Sequence, residues 1–383
     1  MLNVLLPGAL AFAITFLAIP AIMRVAKEKN LYDLPDERKV HSRSIASLGG
    51  IGIFIGFILS ALITIEYKQN IEIRFFFASA IVIFFLGLKD DILILSATKK
   101  FLGQLAAAAI IIHLAHLKIE GMYGLFSIHS LPYLPSTLIT YITIIVVINA
   151  FNLIDGVDGL ASMLGMLTSL LFGCYFIYAG NYSYAFLSFS LTGSLAAFLF
   201  FNFPRAKIFM GDSGSLLIGL INSILVIKFI NTADSAVAAI HIQSAVTIGF
   251  TILLIPLLDT LRVFSIRIVK GRSPFAPDRN HIHHLLLDRG MNHKSITITC
   301  VSLNITFIAM AWIGRSLGPT FLMFIMVTTF YSLIGILFYF IRPVAPKLII
   351  AKSFHNAEPS VAPARKIVSI KNEPSVIEVA AEQ

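Results

Sequence analysis

Charged residues and cysteines are both scarce in this sequence. Only 13% of the 383 residues are charged and two are cysteines, whereas 57% are hydrophobic and the mean hydropathy is +0.87. Soluble globular domains carry about 25% charged residues, so this balance excludes that class of protein. Cys174 and Cys300 both fall inside apolar runs. Their positions argue against a disulfide framework and predict small buried side chains.

Apolar runs of membrane-spanning length recur along the whole chain, and a helical span needs about 20 apolar residues. The pattern predicts an all-α polytopic membrane protein with about eleven transmembrane helices. Pro20 and Arg24 do not resemble a cleavage site, so the first run is expected to remain as a helix. The predicted spans are 2–23, 45–65, 73–88, 101–117, 137–151, 159–179, 184–201, 213–231, 244–264, 296–314 and 319–341.

Lysine and arginine are distributed unequally between alternate loops. One set of loops, together with the C-terminal tail, carries 23 of the 29 Lys and Arg residues, and the opposite set carries four. The positive-inside rule therefore predicts an N-terminus outside and a cytoplasmic C-terminus. We expect residues 1–345 to form one transmembrane domain. Residues 346–383 lack helical periodicity and are expected to form a disordered cytoplasmic tail.

The polar motifs all fall in the loops predicted to be cytoplasmic. Ordinary turn residues would have no preference for one side, so this segregation predicts a single site on that face. The predicted spans contain few charged residues near their centres, unlike the path of a transporter. Asp259 and Arg262, three residues apart, are expected to pair with each other. The motifs lie at 33–41, 89–91, 149–158, 207–215 and 278–284.

The stretch from Asn149 to Leu160 connects two apolar runs and is rich in amides and carboxylates. If the preceding helix continues, Asn149, Asn152 and Asp155 share one face, because residues three apart are neighbours on a helix. With Asp158, these oxygen-bearing side chains suit a hard divalent cation and the polar edges of a nucleotide. The alternative is an ordinary Asn/Asp/Gly turn between two spans.

Two further acidic motifs lie at predicted helix ends. Asp90 and Asp91 are adjacent carboxylates, which repel unless a cation or a proton mediates between them. The alternative is a solvated helix end, although acids are disfavoured at a helix C-terminus. Asp212 lies between two glycines where a span begins, so it could hold a metal beside a phosphate bound at the helix N-terminus. An ordinary N-cap is the alternative there.

Three histidines occur within four residues of the longest predicted cytoplasmic loop. Arg279, His281, His283 and His284 are surrounded by positive charge, which favours binding of a diphosphate. A zinc site is weakly supported, because no cysteine is near and a single His-x-His-His is a poor zinc signature. A basic loop that merely lies against the membrane is the other alternative.

Together these motifs resemble those of the polyprenyl-phosphate N-acetylhexosamine-1-phosphate transferases. The resemblance covers most of the chain, from about Asp33 through the histidine motif and the later spans. It rests on the Asp-Asp pair followed by Ser96 and Lys100, on Asn-x-x-Asn-x-x-Asp-Gly-x-Asp-Gly-Leu, on Phe-Met-Gly-Asp-Ser-Gly-Ser and on His-Ile-His-His. The histidine motif is similar to that of the bacterial undecaprenyl-phosphate GlcNAc-1-phosphate transferases.

The resemblance implies transfer of a sugar 1-phosphate, expected to be GlcNAc 1-phosphate, from a UDP-sugar to undecaprenyl phosphate with release of UMP. It implies a magnesium or manganese cofactor, a bacterial inner-membrane location and an active site on the cytoplasmic face. Membrane lipid is an expected partner and nucleic acid is not, and the resemblance allows a homodimer. The alternative function is a lipid-linked sugar flippase or a small-solute transporter.

The resemblance also implies roles for residues that match the motifs. Direct attack by the lipid phosphate is favoured, with either residue of the Asp90–Asp91 pair as the base; a double displacement through an Asp nucleophile stays open. The expected catalytic residues are Asp90, Asp91, Asp155 and Asp158; the substrate-binding residues are Lys100, Asn149, Arg279, His281, His283 and His284; and the metal ligands are Asp212 and Asn152.

Overall fold

The computed structural model describes residues 2–29, 45–66, 70–93, 95–233, 241–271 and 281–340, which are helical apart from connecting loops and one isolated β-bridge. Predictions for Arg279 and for the tail 346–383 lie outside the described residues. The helices are α1 (Leu2–Glu28), α2 (Gly49–Thr64), α3 (Glu72–Leu93), α4 (Ala97–Ala109) with a π-helical turn (Ile110–Leu114), α5 (Tyr133–Ile154), α6 (Leu160–Tyr178), α7 (Tyr182–Asn202), α8 (Asp212–Ala233), α9 (Ala245–Ile252), α10 (Leu254–Val269), α11 (Ile282–Leu287), α12 (His293–Ile313) and α13 (Pro319–Phe340).

Seven of the described helices are long and apolar enough to cross a membrane: α1, α5, α6, α7, α8, α12 and α13. The prediction of an all-α multi-pass membrane protein is therefore confirmed. The predicted span 45–65 falls on α2, a shorter apolar helix. The predicted spans 73–88 and 101–117 fall on α3 and on α4 with its π-helical turn. The span predicted at 244–264 is divided at Leu253 into α9 and α10.

Helix α8 lies at the centre of the bundle. Within its most apolar window 94% of the residues are buried, against 22% for α1 and α13. A helix that is apolar on every side is stable only when other helices surround it, and α8 packs against α3, α5, α6 and α2. Small residues permit these close approaches, since a Cβ on Gly219 would lie 2.5 Å from Ile148 Cα. The first turn of α8 is thereby held among the ends of its neighbours.

Polar side chains within the helices pair with one another. Arg262 Nη2 donates to Asp259 Oδ1 at 2.9 Å, which confirms the predicted pair. Lys228 Nζ lies 3.5 Å from Glu72 Oε1 and 4.6 Å from the centroid of the Tyr184 ring, so its charge is stabilised by protein groups. Such pairs reduce the cost of keeping ionisable groups between helices.

Candidate functional site

Four polar side chains from separate parts of the sequence meet at one end of the bundle. Lys100 of α4 forms an ion pair with Asp90 near the end of α3, and its Nζ donates to Asp212 Oδ2 at 2.7 Å. On the other side, Asn152 Nδ2 donates to Asp212 Oδ1 at 2.9 Å. Lys100 therefore lies between two carboxylates, and both oxygens of Asp212 accept hydrogen bonds.

Glycines bring the backbone around Asp212 close to its neighbours. Gly211 has φ +74°, and a Cβ there would lie 2.4 Å from Ser47 O and 2.7 Å from Asp91 Oδ2. Only glycine adopts this conformation without strain in so little space. The amide N–H groups of Gly49 and Gly50 donate to the carbonyls of residues 209 and 210 at 2.9 and 2.8 Å. The Gly-Gly pair that begins α2 thus fixes the chain that leads into α8.

Asp91 caps α8 from a different helix. Its Oδ1 accepts from the Asp212 N–H at 2.6 Å and its Oδ2 accepts from the Ser213 N–H at 3.0 Å. These amides have no partner inside α8, and a carboxylate is favourable at a helix N-terminus. Burial raises the pKa of Asp91 to about 6, although these hydrogen bonds oppose the increase. The contacts assign Asp91 to positioning the Asp212 backbone, and its catalytic role stays a prediction.

Asp90 and Lys100 stabilise each other as charged groups. Burial by itself would raise the pKa of Asp90, but hydrogen bonds with Asp212, Lys100 and the Leu95 N–H lower it overall. Burial would lower the pKa of Lys100, but the charges of Asp212 and Asp90 raise it overall. A carboxylate and an ammonium group are therefore both ionised at neutral pH.

The side chain of Asn149 is hydrogen-bonded to another side chain of the protein. Its Nδ2 donates to Gln104 Oε1 at 2.8 Å, and Gln104 Nε2 donates in return at 3.4 Å. Gln104 is 2% exposed and lies one helical turn beyond Lys100. The amide pair therefore fixes the rotation of α4 against α5 and helps to aim Lys100. The substrate-binding role of Asn149 stays a prediction.

Asp155 ends α5 as a half-buried carboxylate without a hydrogen-bond partner among the described residues. Burial raises its pKa well above the usual range, and the negative charges of Asp212, Asp91 and Asp158 raise it further. Asn152 of the same motif donates to Asp212, and Asp91 accepts from the Asp212 N–H, so the structure brings the three acidic motifs together. Negative charge concentrated in this way favours either a proton or a bound cation.

Asp158, predicted to be catalytic, is buried and makes three contacts with two other segments. Its Oδ2 accepts from the Ala206 N–H at 3.1 Å, and its Oδ1 lies 3.2 Å from His293 Nδ1. Its backbone carbonyl accepts from Thr297 Oγ1 at 2.8 Å. The side chain thereby ties α12 and the loop before α8 to the acidic loop, residues 155–159 between α5 and α6. No polar pattern in the sequence identified His293 as its partner, and the catalytic role of Asp158 stays a prediction.

The histidine motif packs against this acidic loop. A Cβ on Gly156 would lie 2.3 Å from His283 Nε2, so the ring rests on the backbone next to Asp155. Burial lowers the pKa of His283 to about 3, and the neighbouring charge of His284 adds to the effect. His283 is therefore a neutral imidazole at physiological pH. His281 is also buried, and its Nδ1 lies 2.9 Å from Asp259 Oδ2.

An apolar cavity of about 280 Å³ lies along the same helices. Its lining comes from α5, α8, α9, α10, α13 and the segment before α5, and Thr143 is the one polar residue among the lining side chains. Val146 and Val147 line the cavity, and Asn149 follows them within one helical turn. The cavity therefore lies in the apolar part of the bundle, and its lining on α5 ends two residues before Asn149.

The residues present suit a cation, although they do not form a complete ligand shell. Within the described ranges, no group of three or more His, Cys, Asp or Glu side chains could hold a metal ion. Asn152 directs its Nδ2 toward Asp212 and Ser215, so it orients the carboxylate, and its predicted metal-ligand role stays a prediction. The carboxylate of Asp155, which accepts no hydrogen bond from the described residues, and the acidic surroundings of Asp212 supply the donor chemistry that a hard divalent ion prefers.

Comparisons with known proteins agree with this geometry. Residues 73–230 match the model of glycosyl transferase family 4. The chain is 30% identical to a probable undecaprenyl-phosphate N-acetylglucosaminyl 1-phosphate transferase of Bacillus subtilis, over 80% of this chain and 84% of the relative. It is 33% identical to an undecaprenyl-phosphate alpha-N-acetylglucosaminyl 1-phosphate transferase of Pasteurella multocida, over 76% and 80%.

A third relative comes from a different bacterial group. The chain is 32% identical to a decaprenyl-phosphate N-acetylglucosaminephosphotransferase of Mycolicibacterium smegmatis, over 76% of both chains. The chain therefore belongs to glycosyl transferase family 4 and is a multi-pass membrane phosphotransferase.

Proposed function

We propose that this protein transfers GlcNAc 1-phosphate from UDP-GlcNAc to undecaprenyl phosphate. A phosphate oxygen of the lipid attacks the β-phosphorus of UDP-GlcNAc, and the bond from that phosphorus to the bridging oxygen breaks. UMP leaves with the bond's electron pair, and the product is a lipid-diphosphate sugar. The names of the relatives support this choice of sugar and acceptor.

The observation that carries the proposal is the position of Lys100 between Asp90 and Asp212, together with Asp155, which has no hydrogen-bond partner among the described residues and is influenced by the charge of Asp212. Both substrates are anionic, so their phosphates repel as they approach. A site that catalyses this reaction must combine a fixed positive charge with acidic groups that hold a cation. Lys100 supplies the positive charge in direct contact with Asp90 and Asp212, and Asp155 supplies a further carboxylate influenced by the charge of Asp212.

Magnesium is the cation that we propose, with manganese as a substitute. Asp212 and Asp155 would hold it, and when bound it would neutralise phosphate charge and stabilise the transition state. Lys100 then supplies a second positive charge from the protein. Asn152 fixes the carboxylate of Asp212 from the opposite side.

We propose a direct attack rather than a protein-bound intermediate. A phosphate monoester has its second pKa near 6, so most of the lipid phosphate is already dianionic at neutral pH. Strong general-base catalysis is therefore unnecessary. Asp90 is bonded to Lys100 and Asp91 to backbone amides, so neither is a free nucleophile in this arrangement.

The prenyl chain is proposed to occupy the apolar cavity beside α5. A polyprenyl tail forms no hydrogen bonds, and the lining offers almost none. The α5 lining of the cavity ends two residues before Asn149, and we propose that a lipid lying in it extends along α5 so that its phosphate reaches the polar site. The lipid head would meet a water-soluble nucleotide sugar without leaving the membrane.

The distribution of lysine and arginine supports the proposed orientation. We place the site on the cytoplasmic face of the bacterial inner membrane, with eleven spans, the N-terminus outside and the C-terminus inside. UDP-sugars are cytoplasmic metabolites, so this orientation gives the site access to its donor. A flippase or transporter of similar topology would instead need ionisable groups along a path across the membrane.

The proposal is tested with purified protein, undecaprenyl phosphate and UDP-GlcNAc in detergent or nanodiscs. We expect release of UMP that requires Mg²⁺ or Mn²⁺ and is abolished by EDTA, together with a lipid product of matching stoichiometry. Protein without lipid acceptor is the control for simple hydrolysis. Movement of labelled lipid across a vesicle bilayer without UMP release would support the flippase alternative and contradict the proposal.

A substitution that fills the cavity tests the lipid site separately. Val146→Trp is expected to raise KM for undecaprenyl phosphate about tenfold, because a bulky side chain occupies space that the prenyl chain needs. KM for UDP-GlcNAc should stay within about twofold. Leu138→Trp is the matched control, since Leu138 lies on the same helix, is 53% exposed and does not line the cavity. Equal lipid KM in the two variants would refute the assignment.

A further inference from the structure

A buried carboxylate on α10 holds the beginning of the histidine motif. Asp259 is 1% exposed, and its Oδ1 accepts from Arg262 Nη2 at 2.9 Å and from the Ile282 N–H at 3.0 Å. Its Oδ2 lies 2.9 Å from His281 Nδ1. A buried charge is tolerated only when it is paired and hydrogen-bonded, so these contacts are maintained together.

The two oxygens of Asp259 have different partners. Oδ1 binds the guanidinium and the backbone, and Oδ2 binds the imidazole of His281. An ionised carboxylate only accepts hydrogen bonds, so Nδ1 of His281 must carry a hydrogen, whether the ring is neutral or charged. The other ring nitrogen of His281, Nε2, does not contact Asp259. It is buried and has no hydrogen-bond partner among the described residues.

The contact continues from His281 to the acidic loop. The rings of His281 and His283 are stacked, with centroids 5.7 Å apart and planes inclined by 6°. His283 in turn rests on Gly156, the residue after Asp155. Asp259 is therefore joined to the acidic loop through two imidazole rings, although more than 100 residues separate the two in sequence.

We propose that Asp259 is a positioning residue for nucleotide-sugar binding. It fixes the ring orientation and the proton position of His281, and through the stacked His283 it sets the spacing between the histidine motif and the acidic loop. Asp259 contacts no substrate, because protein groups use both of its oxygens. This inference rests on the proposed function, since one of its readouts is the binding of UDP-GlcNAc.

Asp259→Asn is the decisive substitution. The amide oxygen must face Arg262 and the Ile282 N–H, because both are donors. The NH₂ group then faces His281 Nδ1 and donates to it, which forces the ring hydrogen onto Nε2, as in the catalytic-triad case of the same substitution. We expect KM for UDP-GlcNAc to rise at least about tenfold, the usual loss for residues that orient a binding side chain. KM for undecaprenyl phosphate should change by less than about twofold.

Nitrogen-15 NMR of histidine-labelled protein measures the ring directly. His281 is assigned by the signal that disappears in His281→Gln. In the unsubstituted protein we expect a hydrogen on Nδ1, and in Asp259→Asn we expect Nδ1 to lose it while Nε2 carries one. Asp288→Asn is the matched control, because Asp288 is exposed and its side chain makes no bond to any of the described residues; both KM values and the ring signals should remain unchanged.

Each outcome decides the inference. Unchanged KM for UDP-GlcNAc in folded Asp259→Asn would overturn it, and so would a bare Nδ1 in the unsubstituted protein. The second measurement is made on the unsubstituted protein and needs only His281→Gln for the assignment, so it decides the question even if Asp259→Asn fails to insert. If the unsubstituted protein releases no UMP, the proposed function fails, whereas the ring measurement still reports whether Asp259 orients His281. A purely structural loss would lower the amount of active protein without changing the ratio of the two KM values.

Discussion

Asp212→Asn is expected to lower metal-dependent UMP release by about 10³-fold, the scale of losing a central electrostatic group in an active site. Asparagine preserves the size of the side chain and can still face Asn152 and Lys100. It removes the negative charge that would attract a divalent cation and that pairs with Lys100 at 2.7 Å. Turnover should therefore fall while the helix bundle remains folded.

Two measurements separate this effect from loss of structure. The thermal unfolding temperature of Asp212→Asn should stay close to that of the unsubstituted protein, because the Asp91 cap binds backbone amides and does not need the Asp212 side chain. Binding of Mn²⁺, followed by electron paramagnetic resonance, should weaken at least tenfold. Asp288→Asn serves as the matched control for both. Normal turnover and normal Mn²⁺ affinity would remove Asp212 from the cation site.

The sequence predicted those helices whose position in the chain depends on hydrophobicity alone. Apolar runs located every described helix of spanning length, because a membrane span must satisfy its backbone hydrogen bonds internally. The break at Leu253 between α9 and α10 was not predicted, since the residues on both sides are apolar and tertiary contacts decide where the helix is interrupted. Helix α8 was predicted as a span, but its central position depends on contacts with other helices. The hydrophobic pattern of a single helix does not show which helices surround it.

The sequence predicted which residues belong to the site better than it predicted what each residue contacts there. Its motifs carry several ionisable groups close together, and the structure joins Asp90, Lys100 and Asp212 as expected of one site. The sequence could not assign different roles to Asp90 and Asp91. Adjacent side chains on a helix point in different directions, and only the packing of the helix shows which groups each of them contacts. Gln104 gave a weak signal as an amide near an apolar run, and its pairing with Asn149 depends on the contact between α4 and α5.

Lys100→Gln should produce two effects of opposite sign. Turnover is expected to fall about 10²-fold, because the positive charge that offsets the two anionic substrates is lost. Mn²⁺ affinity should instead increase at least about tenfold, since one positive charge no longer opposes a cation near Asp90 and Asp212. Lys100→Arg should recover part of the turnover, because it restores charge with a different geometry.

Lys99→Gln is the matched control, because Lys99 is adjacent in sequence, exposed and without a side-chain partner in the described part of the chain. It should change neither turnover nor Mn²⁺ affinity beyond about twofold. A structural defect would lower both Mn²⁺ affinity and turnover. Lower turnover combined with higher Mn²⁺ affinity would therefore identify Lys100 as a positive charge that opposes the cation and attracts the anionic substrates. Weaker Mn²⁺ binding in a folded Lys100→Gln protein would show that the ion does not bind near Asp90 and Asp212. The phosphates would then be neutralised by a different group of residues.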